Sequence, residues 1–188
     1  MEVSKPYVIF ILKKKRRVDD CYLQFLRNKE FAEASNYLRA NSHLIELVMQ
    51  DVFTTDYRRL QLHAHVFDEL KQGYQQLLQP FYKSWIAQIG TSTHEAFHRS
   101  SYRYFQDVDI PEELQGVLYD FAFRDMMKPE QPIAVRVFAM TTCYNIAQHY
   151  KELLPELHQA ITMVSESDSP GIRSRSRRLL AKIGQTLP

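Results

Sequence analysis

Glycine is scarce in this 188-residue chain, with five residues, and cysteine is scarcer, with two. That excludes collagen-like organisation and leaves no phosphate-cradling glycine motif or nucleophile elbow, so nucleotide-dependent chemistry is not expected. Cys21 and Cys143 stand far apart without CxxC spacing, so neither a disulfide scaffold nor a paired-cysteine zinc site is encoded. They read as reduced, buried thiols, which suits a cytoplasmic protein. Long apolar runs are missing too. The stretch Tyr7 to Leu12 is six residues long and meets Lys13-Lys14-Lys15-Arg16-Arg17 at once, whereas a membrane span needs about 20 apolar residues. A signal peptide would carry its basic cluster before the apolar run. The segment therefore reads as a first helix docking an apolar turn, with no membrane span. An excess of one charge sign is also absent. Lys plus Arg is 24 against 22 for Asp plus Glu, which argues against a surface given over to nucleic acid. Two basic runs remain, Lys13 to Arg17 and the series Arg173, Arg175, Arg177, Arg178 and Lys182.

What the chain does contain is helical periodicity. Hydrophobic residues make up 45% and aromatics 12%, enough for a core. Phe31, Ala34 and Leu38 suit one helix, and Leu44, Ile45, Leu47, Val48 and Phe53 suit the next. Leu60, Ala64, Phe67 and Leu70 repeat at three and four, as do Leu77, Phe81, Trp85 and Ile89. Pro80 inside the last series predicts a kink or a late start. Gly90 is expected to close that helix and Ser92 to open the next. Asp109 before Ile110-Pro111-Glu112, and Ser169 before Pro170, read as further helix starts. No alternating run long enough for a sheet competes with these signals, and the fold class expected is all-α.

The arginines repeat. Arg58, Arg99, Arg136 and Arg173 are separated by 41, 37 and 37 residues, each near the start of the second helix of an expected pair. Pro111-Glu112-Glu113-Leu114 and Pro155-Glu156-Leu157 open two first helices 44 residues apart. A period near 40 predicts stacked helix pairs, because a lone pair leaves an apolar edge that the next pair covers. A basic residue recurring at one height can form a ladder with acids of adjacent units, or line a binding groove.

The last unit carries a family pattern: an apolar first helix at Leu154-Pro155-Glu156-Leu157, an acid in the turn at Asp168, and Ile172-Arg173 opening the second helix ahead of Leu179, Leu180 and Ile183. It resembles a HEAT repeat. Val135-Arg136 matches the same pair in the preceding unit, with Glu130 standing in for the aspartate; Arg58 and Arg99 follow Tyr57 and His98, a looser match. The resemblance implies a right-handed α-α superhelix of HEAT-like antiparallel helix pairs with a concave face that holds partners. The expected organisation is one helical-repeat domain over 1–188, with N-terminal capping helices in 1–41 and about four helix pairs in 42–183.

One catalytic pattern is present, the HExxH match His94-Glu95-Ala96-Phe97-His98. On a helix, residues four apart share a face, so the two imidazoles could bind zinc while Glu95 activates water. The third ligand is missing from the sequence around it, since Arg99, Ser100, Ser101 and Tyr102 follow. Glu95 has a structural alternative as the third residue after a Ser92 cap. His63 and His65 point to different sides of a helix and read as partly exposed, water-satisfied side chains. Tyr102 and Tyr104 lie in a stretch with more aromatics than one helix core needs, and are expected to supply groove contacts.

The leading expectation is a non-catalytic scaffold, with no cofactor, whose second helices form a groove for another protein. A DNA- or RNA-binding repeat protein similar to helical-repeat DNA glycosylases is the alternative, and a zinc-dependent hydrolase through His94, Glu95 and His98 is the third.

Overall fold

The computed structural model describes residues 18–54, 57–166 and 169–186, and among them every regular element is helical. The basic run Lys13 to Arg17 and the turn residue Asp168 lie outside the described residues. Ten α-helices follow one another: α1 (Asp20–Asn28), α2 (Phe31–Ala40), α3 (Ile45–Thr54), α4 (Tyr57–Leu70), α5 (Tyr82–Thr91), α6 (Glu95–Phe105), α7 (Glu112–Met127), α8 (Ile133–Ala147), α9 (Leu154–Ser165) and α10 (Pro170–Gly184). Each odd-numbered helix packs on the even-numbered helix that follows it. The even-numbered helices also touch in succession from α2 through α4, α6 and α8 to α10, while α5, α7 and α9 form the adjoining layer. The result is an α-α superhelix, in which each pair covers the apolar edge of its neighbour. Among the described residues no helix is long and apolar enough to cross a membrane.

Local chemistry sets the starts of α1 and α5. The Asp19 carboxylate accepts from the backbone N–H of Cys21 and Tyr22 at 2.9 and 3.2 Å, capping α1. Pro80 delays α5: two 3-10 turns, Gln75–Leu77 and Gln79–Phe81, precede its start at Tyr82. Three expected boundaries fall elsewhere. Gly90 lies inside α5, where a Cβ would come 2.5 Å from the Phe121 ring of α7; its missing side chain lets those two helices approach. Ser92 precedes the first residue of α6 by three, its hydroxyl accepting from the His94 N–H at 3.0 Å instead of capping the helix. Asp109 is likewise outside α7, whose first residue is Glu112.

The core follows the even-numbered layer. α8 buries Val135, Ala139, Met140, Cys143, Ile146 and Ala147 because α6, α7, α9 and α10 all pack against it. A helix enclosed on so many sides carries apolar residues around most of its circumference. α6 is enclosed in the same way by α4, α5 and α8. This explains its aromatic density: the Trp85 indole stacks on Tyr104 with ring centroids 4.9 Å apart, and Phe67, Tyr82 and Phe105 close around them.

Candidate functional site

The expected groove tyrosines are core residues. Tyr102 and Tyr104 are 0% and 2% exposed. The Tyr104 hydroxyl is 2.9 Å from that of Tyr82, and the Tyr102 hydroxyl donates to Asp125 at 2.7 Å. Enclosure of α6 on three sides removes both from any contact with a partner. Trp85 is equally unavailable for stacking on a base, since it is buried and donates Nε1–H to the Ser101 hydroxyl at 2.7 Å.

The HExxH residues part company at the helix start. His94 is the residue before α6, in extended conformation at φ −89° and ψ 108°, so it does not share the helical face of His98. Its exposed ring stacks on Tyr57, and Glu95 is exposed. His98 is buried, and both its ring nitrogens are taken: Nδ1 lies 2.6 Å from Asp125 Oδ2, and Nε2 lies 2.9 Å from the Ser92 carbonyl. A carbonyl only accepts, so Nε2 carries a proton, and the carboxylate takes a second from Nδ1. Burial alone would push this imidazole down, but the Asp125 and Ser92 oxygens that accept its protons hold its pKa above the ordinary 6.5. Burial also opposes ionisation of Asp125, yet the hydrogen bonds from His98 and Tyr102 keep its carboxyl below 3.8. The motif thus supplies a buried ion pair in place of a metal grip. Among the described residues no group of three or more His, Cys, Asp or Glu side chains could hold a metal ion. A chelator is expected to leave the melting temperature unchanged, and purified protein retaining one zinc per chain would contradict this.

His63 corrects a second expectation, for it is fully buried and satisfied by protein groups. Its Nε2–H faces Asp51 Oδ2 at 2.8 Å, and its Nδ1 lies 3.0 Å from the Tyr22 hydroxyl. Arg59 shares Asp51 at 3.0 Å. The same three residue types as in the His98 cluster here hold a neutral ring: burial pushes His63 below 6.5 against the pull of Asp51. The two histidines therefore give opposite pH dependence. His98, with a raised folded pKa, contributes stability that is complete below 6.5 and lost as pH rises through its folded value. His63, with a lowered one, gives stability that is complete above 6.5 and lost as pH falls toward its folded value. Denaturant titration across pH should give a maximum between these limbs, with the alkaline limb lost in His98→Gln and the acid limb reduced in His63→Gln. Unchanged limbs would contradict both assignments.

The four repeated arginines occupy related but unequal places. Arg99 is the fifth residue of α6, Arg136 and Arg173 are the fourth of α8 and α10, and Arg58 is the second of α4. Arg58 and Arg173 are exposed, Arg99 is half-buried and Arg136 is buried. The Arg136 Nε–H donates to the Met126 carbonyl at 2.9 Å, satisfying an open carbonyl of the last turn of α7; burial lowers its pKa while Glu130 raises it. An ionic link between neighbouring even-numbered helices also uses Arg103. Asp68 of α4 meets Arg103 of α6 at 2.5 Å, and Lys71 reaches both Asp68 and Asp107 at 2.8 Å. Arg103 is four residues beyond Arg99 on the same helix, a register that arginine spacing alone did not single out. Arg136→Gln is expected to cost about 1–3 kcal/mol in urea denaturation, because the Met126 carbonyl loses its buried donor; Arg99→Gln should stay within about 0.5 kcal/mol. Equal losses would contradict the distinction.

A concavity lies on the opposite layer from the expected second-helix groove. It is a cleft of about 880 Å³ between α7 and α9, closed at one end by the joint from α8 into α9. Val117, Tyr119, Ile146, Tyr150 and Leu153 form its apolar lining, with Val117 48% exposed. Glu112, Glu113, Asp120, Glu152 and Glu156 surround them, and among the described residues no lysine, arginine or histidine lines the cleft. Periodicity could not find it, because a cleft between helices two apart in the chain depends on how units stack.

No curated protein and no solved structure matches the chain. A family model, described as a HEAT repeat domain, matches residues 22–183. With helix pairs stacked from α1 to α10 and this match over most of its length, the chain belongs to the HEAT repeat family.

Proposed function

We propose that the protein is a non-catalytic scaffold that binds another protein through the cleft between α7 and α9. HEAT-like repeats generally serve as protein-interaction scaffolds. The observation that carries the reading is the cleft itself, an apolar lining left open within a polar rim. That is the anatomy of a protein interface, where an apolar centre is desolvated and a polar ring excludes water around it. The ionisable side chains that could have done chemistry are occupied elsewhere: His98, Asp125 and His63 are buried in hydrogen-bonded clusters. Nucleic-acid binding in the manner of helical-repeat glycosylases lacks its stacking platform, since the single tryptophan is in the core.

The test is site-specific photo-cross-linking in the native cell. A benzophenone side chain at Val117, in the cleft, should capture a protein partner that the same group at Tyr57, exposed on α4, does not. Capture from neither site, or equal capture from both, would overturn the reading.

A further inference from the structure

We infer that the α7–α9 cleft receives a basic segment of the partner protein, with an apolar anchor side chain flanked by lysines or arginines. This rests on the scaffold reading and names the chemistry of the partner. The first observation is charge. Five carboxylates ring the cleft, and among the described residues no basic side chain lines it and none of the five enters an ion pair. Glu112, Glu113 and Glu156 have a local role in the first turns of α7 and α9, where acids suit the helix dipole. Glu152 lies in the 3-10 turn Lys151–Leu153 that leads into α9, whereas Asp120, within α7, has no such role, yet it faces the same cleft.

The second observation is independent of that charge. Tyr119 lines the cleft and is 7% exposed, but its hydroxyl has no hydrogen-bond partner. A buried hydroxyl left unsatisfied is costly, and a small shift of the cleft wall on binding would bring it a donor or acceptor from the bound segment. Burial pushes this phenol up, with Cys143, Glu156 and Asp120 adding to the effect, so it remains protonated and able to donate to a peptide carbonyl. Val117, beside it, is one of the large apolar side chains left exposed and supplies the surface for the anchor.

Charge and apolar floor together select the occupant. An acidic segment would meet five like charges, and a purely apolar one would bury them unpaired, which is unfavourable in either case. A basic segment pairs them at the rim, giving fast, salt-sensitive association.

The probe is a fluorescein-labelled amphipathic peptide of about 12 residues, with leucines on one face and lysines on the other, followed by anisotropy on the full chain. The triple variant Glu113→Gln, Glu152→Gln, Glu156→Gln is expected to weaken binding about tenfold. The matched triple Glu33→Gln, Glu46→Gln, Glu69→Gln alters exposed acids on α2, α3 and α4 and should change it less than about twofold. Tyr119→Phe, which keeps the ring, should weaken it about fivefold. Equal losses from the two triples, or none from the cleft triple, would overturn the proposal. Self-association of the protein that the cleft triple abolishes would assign the cleft to a second copy's Lys13 to Arg17 run, and would also overturn it. Mapping the segment cross-linked from Val117 separates the two readings: a segment without lysine or arginine sinks the charge assignment and leaves the scaffold standing.

Discussion

Asp125→Ala is expected to lower the stability of the protein by about 3–5 kcal/mol, the cost of removing one member of a buried ion pair. The carboxylate accepts from His98 and Tyr102 through one oxygen and lies 3.4 Å from the Gln131 amide through the other. Alanine leaves a buried imidazole N–H and a buried phenol without acceptors. Loss of the acceptor also removes what keeps His98 charged, so the ring sheds a proton and part of the cost is relieved. A double-mutant cycle isolates that coupling: Asp125→Ala should cost less in a His98→Gln background than alone. Urea denaturation is the measurement, and a loss below about 1 kcal/mol would show that the cluster is not a structural centre.

Trp85→Ala should cost a similar amount, about 3–5 kcal/mol. Its indole, 2% exposed, touches Phe67, Tyr104 and Phe105, joining α4, α5 and α6. Alanine opens a cavity that three enclosed helices cannot collapse into. Trp85→Phe keeps most of the stacking and loses the bond to Ser101, at an expected cost of about 1–2 kcal/mol. Because Trp85 is the only tryptophan, its fluorescence reports unfolding of the middle of the stack. Near-neutral Trp85→Ala would contradict the packing described for α6.

Legibility of the sequence differed by level. Apolar spacing at three and four marked Leu60, Phe67 and Leu70 as one face of α4, and all three are buried. Pro80 announced the late start of α5, because proline's effect on a helix is local. The role of Gly90 is set outside its neighbourhood, by Phe121 of α7, 31 residues on in the sequence. The burial of Tyr102 and Tyr104 has the same kind of cause, since the third covering helix, α8, comes from the next unit. His98 required its partner Asp125 to be known, a residue 27 positions away. The cleft itself depends on the approach of α7 to α9, and of its acids only Glu112, Glu113 and Glu156 stand out in the sequence, as helix starts. Signals acting within one turn could be read; those set by unit stacking could not.

The most direct test of the account is the protonation state of the histidine rings, read by long-range nitrogen–proton NMR across pH. If the HExxH residues belong to the core and leave binding to the α7–α9 cleft, His98 is protonated on both nitrogens at pH 6 and insensitive to added zinc. His63 is then neutral with its proton on Nε2. A His98 ring that is neutral at pH 6, or whose nitrogen shifts move on zinc addition together with those of His94, would contradict it.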